Sequence, residues 1–133
     1  MNGPKYVRSE QQGNVVVITP LFTFATFTEP HVASEWAAVQ DQIDSPTTQH
    51  AIVDLGEIPY FGSTVLEWMA QIWKTMKAKG GTMAAARPSA IGREVLSAAR
   101  LERVWGIFDS REAALAWLME QDRESNCRAR GPA

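Results

Sequence analysis

The stretch "IVDLGEIPYFGSTVLEW", residues 52–68, joins an apolar run to a strongly helical sequence through a short turn. The run "HAIVDL" is nearly continuously apolar, which is typical of a strand covered on both faces in a parallel sheet. Apolar residues then recur at helical spacing between positions 65 and 79, in a stripe of Val65, Met69, Ile72 and Met76. The stretch therefore predicts a buried strand, a loop and an amphipathic helix, with two hydroxyl residues, Ser63 and Thr64, at the helix start.

The flanking sequence predicts further strands and helices in alternation. Residues 5–27 read as two or three β-strands, and the spacing of Val32, Trp36, Val39 and Ile43 predicts a helix that ends before Pro46. Beyond the basic turn "KTMKAKGG" we expect a strand at "TMAAA", a helix over 89–104 that buries Ile91, Val95 and Leu96, and a strand at "VWGIF". A last helix over 110–121 is expected to bury Ala113, Ala114, Trp117 and Leu118.

This order of elements predicts an α/β fold, a mixed β-sheet with about four α-helices packed mainly on one side. A chain of 133 residues with 45% hydrophobic residues can build one core, so we expect one domain over residues 1–122. The apolar period is lost after Asp122, and residues 123–133 are therefore expected to form a disordered tail.

Composition argues against several classes of partner. Thirteen basic and fifteen acidic residues leave a formal charge of -2 without a basic cluster, so nucleic acid is not an expected ligand. The longest apolar stretch, "VVVITPLFTFATF", is too short to span a bilayer and lacks the basic start and cleavage site of a signal peptide, so neither membrane insertion nor secretion is expected. The single cysteine, Cys127, cannot form an internal disulfide, which suits a reducing cytoplasm.

The sequence contains no motif for a cofactor, a metal ion or a catalytic nucleophile. No GxGxxG or P-loop pattern occurs, and His31 with Glu35 at a spacing of four falls far short of a closed metal site. Ser63 lacks a GxSxG elbow and a histidine at an identifying spacing. We therefore expect no cofactor, no metal and no enzymatic activity, and a small enzyme using Ser63 is the least favoured hypothesis.

The residue types alone suggest a structural role for Ser63 and Thr64, namely capping the helix that follows them. Thr64 and Glu67 fit a capping box, in which each side chain satisfies the other residue's backbone amide, and Ser63 could cap instead.

Four of the five tryptophans lie at core-facing spacings. Trp68 lies at the edge of its stripe, so it is either a core residue, which is the favoured interpretation, or an anchor for a protein partner.

The order of strand, Asp54, loop, Ser63 and Thr64, amphipathic helix, basic turn with two glycines, strand, helix and "DSREAALAWL" resembles the STAS family. This family includes the anti-sigma factor antagonists of bacteria. The resemblance runs from about residue 14 to residue 120 and rests on the order of elements as much as on identities.

The resemblance implies a serine that accepts a phosphate group and thereby regulates binding of a partner. In the regulated members the motif is aspartate, serine, serine or threonine, glycine, leucine, and the first serine is phosphorylated by a partner anti-sigma factor that is a serine kinase. The matching position here is Ser63. The implied protein binds the anti-sigma factor when unmodified, releases it when phosphorylated, and so regulates transcription indirectly in the cytoplasm. The implied docking surface comprises Phe61, Gly62, Ser63, Thr64 and Trp68.

The sequence departs from the family's motifs. Gly62 replaces the aspartate and Val65 replaces the glycine beside the acceptor, and an early motif of glycine, any residue, leucine and aspartate is matched only by Pro20, Leu21, Phe22 and Thr23. Both acids beside the acceptor are therefore absent. The alternative is a constitutive STAS module of the scaffold or transporter-associated kind, in which Ser63 and Thr64 only cap. The oligomeric state stays open, with a homodimer among the candidates.

Overall fold

The strands of the described residues form one mixed sheet in the order β1-β2-β3-β4-β5. The structure, a computed structural model, describes residues 6–21, 30–59 and 63–130, with the backbone alone at 30–31, 63–64 and 122–130. The strands are β1 (Val7–Gln12), β2 (Val15–Pro20), β3 (His50–Asp54), β4 (Met83–Ala86) and β5 (Gly106–Phe108). β1 is antiparallel to β2, and the pairs β2–β3, β3–β4 and β4–β5 are parallel. The carboxyl ends of β2 to β5 therefore meet at one edge of the sheet.

Four α-helices occur within the described residues and cover the two faces unequally. They are α1 (Pro30–Ile43), α2 (Ser63–Ala78), α3 (Ala90–Ala98) and α4 (Arg111–Arg130), and a 3-10 turn spans Leu101–Arg103. Residues of α1, α2 and α3 share one core cluster with β2, β3 and β4, whereas Ala114 and Leu118 of α4 pack on the opposite face. The α/β class, the mixed sheet and the placement of the helices mainly on one side are confirmed.

The two apolar stripes predicted for α1 and α2 are buried as expected. Val32, Trp36, Val39 and Ile43 of α1, and Val65, Met69, Ile72 and Met76 of α2, all belong to the larger core cluster. The two helices meet where the rings of Trp36 and Trp68 stack, with centroids 4.6 Å apart and planes 4° from parallel. Every residue of β3 is buried, in agreement with a central strand of a parallel sheet.

The end of α2 follows the predicted glycine stop. Gly80 has a φ of +81°, which a residue with a Cβ rarely adopts, and Gly81 N donates to Met76 O at 2.8 Å. The preceding Lys79 extends its ammonium group to the carbonyl oxygens of Ile43, Ser45 and Thr48. These bonds fix the end of α1 to the end of α2.

The segment after β4 differs from the prediction. α3 ends at Ala98 rather than near position 104, because Arg100 has a φ of +58° that no α-helix can contain. The chain must turn here so that Trp105, 3% exposed, can enter the core, and the last strand therefore starts at Gly106 rather than at Val104. Ile91 is 55% exposed, so its predicted burial was wrong.

Two expectations for the C-terminal region also differ. Ala113 is exposed while Ala114 is buried, because neighbouring helical residues point about 100° apart. The backbone of α4 continues past Asp122 to Arg130, so Asp122 is not the helix end that the loss of apolar period predicted. Phe22, Phe24 and Phe27, assigned to a possible third strand, lie outside the described residues.

Candidate functional site

A buried carboxylate organises the carboxyl edge of the sheet. Asp54 is the last residue of β3, and its side chain is fully enclosed. Its Oδ1 accepts hydrogen bonds from Arg87 Nε at 2.8 Å and Gly56 N at 2.9 Å, and its Oδ2 accepts from Arg87 Nη2 at 2.9 Å and Arg111 Nε at 2.5 Å. The carboxylate thus joins β3 to the residue after β4 and to the first residue of α4.

Hydrogen bonds stabilise the charged form of this carboxylate. Burial acts to raise the pKa of Asp54, but the donors from Arg87, Gly56 and Arg111 outweigh burial and hold the pKa below its ordinary value. The hydrogen bonds to Asp54 and the negative charge of that residue raise the pKa of Arg87. Because each described contact of Asp54 is a donor, the carboxylate is a weak base suited to holding segments together rather than to accepting a proton.

Arg111 extends this charge cluster to the antiparallel edge of the sheet. Its guanidinium also donates to Glu10 of β1 and, at 3.3 Å, to the hydroxyl of Thr19 in β2. Burial acts to lower the pKa of Arg111, and the bonds to Asp54 and Glu10 raise it. Four strands or their adjoining residues are therefore tied to α4 at one end of the sheet.

The loop between β3 and α2, residues 55–62, leaves this edge and leads directly to Ser63. Leu55 and Ile58 are buried, and Gly56 lies so close to Arg87 that an added Cβ would come within 2.4 Å of its Cζ. Glu57 forms a partly exposed ion pair with Arg87 at 3.6 Å. The carbonyl of Pro59 accepts a hydrogen bond from the hydroxyl of Ser89, the residue before α3. The described half of the loop is therefore anchored by β4, α3 and the core.

The structure brings Ser63 to the first residue of α2, a helix of 16 residues. The free amides and the helix dipole make this end electropositive, so an anion on Ser63 is compatible with the helix. The side chains of Ser63 and Thr64 lie outside the described side chains, as do residues 61 and 62. Glu67 is exposed. The capping box of Thr64 and Glu67 therefore stays a prediction, as do the contacts expected of Phe61 and Gly62.

Trp68 does not belong to an accessible docking surface. It is 1% exposed and lies in the core against Trp36, so a partner cannot reach its ring. The hypothesis of a partner anchor was wrong at this residue, and the favoured interpretation of core packing is confirmed. The error arose because a helical wheel cannot show that α1 covers the edge of the α2 stripe.

Glu35, the acid of the metal hypothesis, and the second histidine, His50, make structural hydrogen bonds, and the side chain of His31 lies outside the described side chains. Glu35 accepts hydrogen bonds through Oε1 from Tyr6 N at 2.8 Å and Val7 N at 3.1 Å. His50 is buried, and its Nδ1 accepts from Thr82 N at 3.1 Å. Across residues 6–21, 30–59 and 63–130 no three His, Cys, Asp or Glu side chains cluster as a metal site would require.

Sequence reasoning named Asp54 only as part of the element order and missed Arg87, Arg111 and Ser89. Each of these follows the end of a strand, at Ala86 or Phe108, where parallel topology gathers side chains at one edge. A charged residue directly after "MAAA" and another directly after "IFDS" were the available signals. Ser89 also precedes a helical sequence, the usual place of a cap.

Comparison with known proteins places the chain in a family. The model of the STAS domain matches residues 6–114. No curated protein matches the chain at a significant level. None of the helices in the described part of the chain combines the length and apolar character that a bilayer span requires.

Several solved structures share the fold at low sequence identity. An anti-sigma-factor antagonist (STAS) domain protein from Planctomyces limnophilus is 22% identical, with a TM-score of 0.69 over 85% of this chain and 97% of that chain. The anti-sigma factor antagonist SpoIIAA in its unphosphorylated form is 17% identical, with a TM-score of 0.64 over 96% and 98%. The murine anion transporter Slc26a9 is 14% identical, with a TM-score of 0.63 over 85% of this chain and 19% of that chain.

Proposed function

Because the chain belongs to the STAS family, we propose that it is an anti-sigma factor antagonist that is switched by phosphorylation of Ser63. The observation that carries the proposal is the position of Ser63 at the first residue of α2, four positions after the last described anchor of the preceding chain, at Pro59. The fold shared with the Planctomyces limnophilus protein and with SpoIIAA supports it.

Helix electrostatics supports a switch at this position. A phosphate on Ser63 adds nearly two negative charges, and the amides at the start of α2 stabilise them. The folded state therefore accommodates the modification. The same charge must lose its water when a partner packs around the helix start, which weakens the complex. The unmodified protein binds a serine kinase anti-sigma factor and frees the sigma factor, and the phosphorylated protein releases the kinase.

In this proposal the protein is a substrate and a binding partner, not an enzyme. The nucleotide, the metal ion and the base for phosphoryl transfer belong to the partner kinase. The protein acts in the bacterial cytoplasm, inserts into no membrane and regulates transcription without touching nucleic acid, in keeping with its formal charge of -2.

A second candidate is a constitutive STAS module. Two observations favour it: Gly62 stands where the regulated motif has an aspartate, and a domain of the transporter Slc26a9 has the same fold. In this alternative Ser63 caps α2 and is never modified. Genes beside the coding sequence separate the two, because a serine kinase anti-sigma factor favours the switch and a transporter operon favours the module.

The proposal is tested by affinity purification from native cell extract followed by phosphorylation in vitro. We expect the chain to retain a serine kinase anti-sigma factor, and mass spectrometry after addition of ATP to find phosphate on Ser63. Ser63→Ala should bind the kinase and remain unmodified. A retained kinase that never modifies Ser63 would favour the constitutive module.

A further inference from the structure

Ser89 connects the start of α3 to Pro59, in the loop that precedes the proposed acceptor Ser63. Its Oγ accepts a hydrogen bond from Gly92 N at 3.0 Å, as the N-cap of α3, and donates its own proton to the carbonyl oxygen of Pro59. A hydroxyl has one proton to donate and lone pairs to accept, so both bonds can exist together. The backbone of Ser89 is extended, with a φ of -67° and a ψ of 171°, as a cap requires.

The bond to Pro59 is the last described anchor before Ser63. Asp54 holds the amide of Gly56, and Ile58 is buried in the core, but Pro59 is exposed. Proline has no amide proton, so its carbonyl is the backbone group through which this position can be held. Residues 60–62 alone separate Pro59 from Ser63. A change at Ser89 is therefore transmitted over a short stretch of chain.

Resting on the function proposed for Ser63, we infer that Ser89 is a positioning residue for the acceptor. A kinase must hold the acceptor hydroxyl in line with the transferred phosphoryl group, and a chain that is already anchored at Pro59 loses less entropy on docking. Ser89 does not touch the reacting atoms. Its loss should weaken productive docking of Ser63 while leaving the phosphoryl transfer step itself unchanged.

The chain offers a matched control for this inference in Ser110. Its hydroxyl accepts from Ala113 N at 3.1 Å at the start of α4, a bond equivalent to the one that Ser89 makes at α3. Among the described contacts, Ser110 has no bond to residues 55–59. Ser89→Ala and Ser110→Ala thus both remove a helix cap, and only Ser89→Ala releases the loop. Ser89→Thr keeps a hydroxyl and should preserve both bonds.

Hydrogen exchange of the isolated protein tests the anchor without a partner. We expect the amides of residues 56–58 to exchange at least about threefold faster in Ser89→Ala than in wild type, as the loss of one hydrogen bond allows. Ser110→Ala and Ser89→Thr should exchange at the wild-type rate in this loop. Equal loop exchange in Ser89→Ala and Ser110→Ala would overturn the inference.

Steady-state kinetics with the serine kinase anti-sigma factor that copurifies with the wild-type chain test the positioning role. Ser89→Ala should raise the KM for Ser63 phosphorylation about fivefold at unchanged kcat, the factor that corresponds to one net hydrogen bond. Ser110→Ala and Ser89→Thr should keep the wild-type KM. Equal KM for Ser89→Ala and Ser110→Ala would overturn the positioning role alone, whereas a wild-type chain unmodified at Ser63 would overturn the proposed function and this inference together.

Discussion

Asp54 illustrates how a buried charge is tolerated at the end of a central strand. Its side chain is 0% exposed, yet both oxygens accept hydrogen bonds from two guanidinium groups and an amide. Arg87 and Arg111 keep 41% and 28% of their side chains exposed, so water shares the solvation of their positive charge. The cluster therefore avoids the full desolvation cost of an ion pair enclosed on all sides.

Replacing this carboxylate should destabilise the fold. Asp54→Asn places an amide donor against guanidinium donors, and we expect a loss of about 3 kcal/mol in the free energy of unfolding, the lower end for breaking a buried pair because the arginines can rehydrate. Glu57→Gln is the matched control, since Glu57 is 44% exposed and meets Arg87 at 3.6 Å, and should cost under about 1 kcal/mol. Urea denaturation measures both, and equal losses would contradict the assigned role of Asp54.

The same residue makes stability depend on pH in a definite direction. The folded pKa of Asp54 lies below its ordinary value of 3.8, so the unfolded state binds the proton more readily. The contribution is fully present well above pH 3.8 and is lost as the pH falls through 3.8 and then through the folded pKa. As the pH is lowered, the free energy of unfolding of the wild type should therefore fall more steeply than that of Asp54→Asn. Parallel curves of unfolding free energy against pH for the two proteins would contradict this prediction.

At the scale of elements, Lys79 links α2 to the end of α1. Its Nζ donates to Ser45 O at 2.9 Å, to Thr48 O at 3.1 Å and to Ile43 O, so one cation satisfies three carbonyls at the negative end of a helix. Lys79→Met should cost about 2 kcal/mol, as expected for hydrogen bonds to a charged group.

Lys77 provides the comparison for this prediction. Its ammonium lies 5.0 Å from the centroid of the Trp73 ring at an exposed site, so Lys77→Met should cost only about 0.5 kcal/mol. Thermal and urea denaturation of the two variants measure the difference. A Lys79 variant that loses no more stability than about 0.5 kcal/mol, the loss expected for the Lys77 variant, would show that the three carbonyl bonds contribute little.

Helical periodicity identified the buried faces of α1 and α2 because each of these helices buries one broad stripe. It failed at Ile91, which has the apolar character of a core residue but lies in the first turn of the short helix α3, 55% exposed. It left Trp68 open between core residue and partner anchor, because only the structure shows that α1 covers this position at the edge of the stripe. Periodicity describes one helix at a time, and these two outcomes depend on a neighbour.

At the scale of the whole molecule, the parallel sheet assembles the site from distant positions. The position of Ser63 at a helix start could be predicted from "FGSTVLEW", because an apolar strand, a turn and a helical stripe are local signals. The contact of Asp54 with Arg111, 57 positions later, could not, because strand order and register decide it. The bond from Ser89 to Pro59 depends on the same topology.

The topology also separates the stability of the fold from the recognition role that we propose for the start of α2. β3 and β4 are adjacent and parallel, so the loops that follow them, at Leu55 and Arg87, leave the sheet side by side. The core holds Leu55 and Ile58 of the β3–α2 loop, and Ser63 begins α2 at its electropositive end. Charge at Ser63 should therefore alter binding far more than stability.

Calorimetric titration of the serine kinase anti-sigma factor with wild type, Ser63→Asp and Ser63→Asn tests this claim most directly. All three should melt at similar temperatures, because a carboxylate is favoured in the first turn of a helix and asparagine places no charge there. Ser63→Asp should bind on the order of a hundredfold more weakly, since its charge is desolvated in the complex, while the neutral Ser63→Asn of the same shape should stay close to wild type. Equal affinity of wild type and Ser63→Asp would contradict the switch and leave a constitutive binding module.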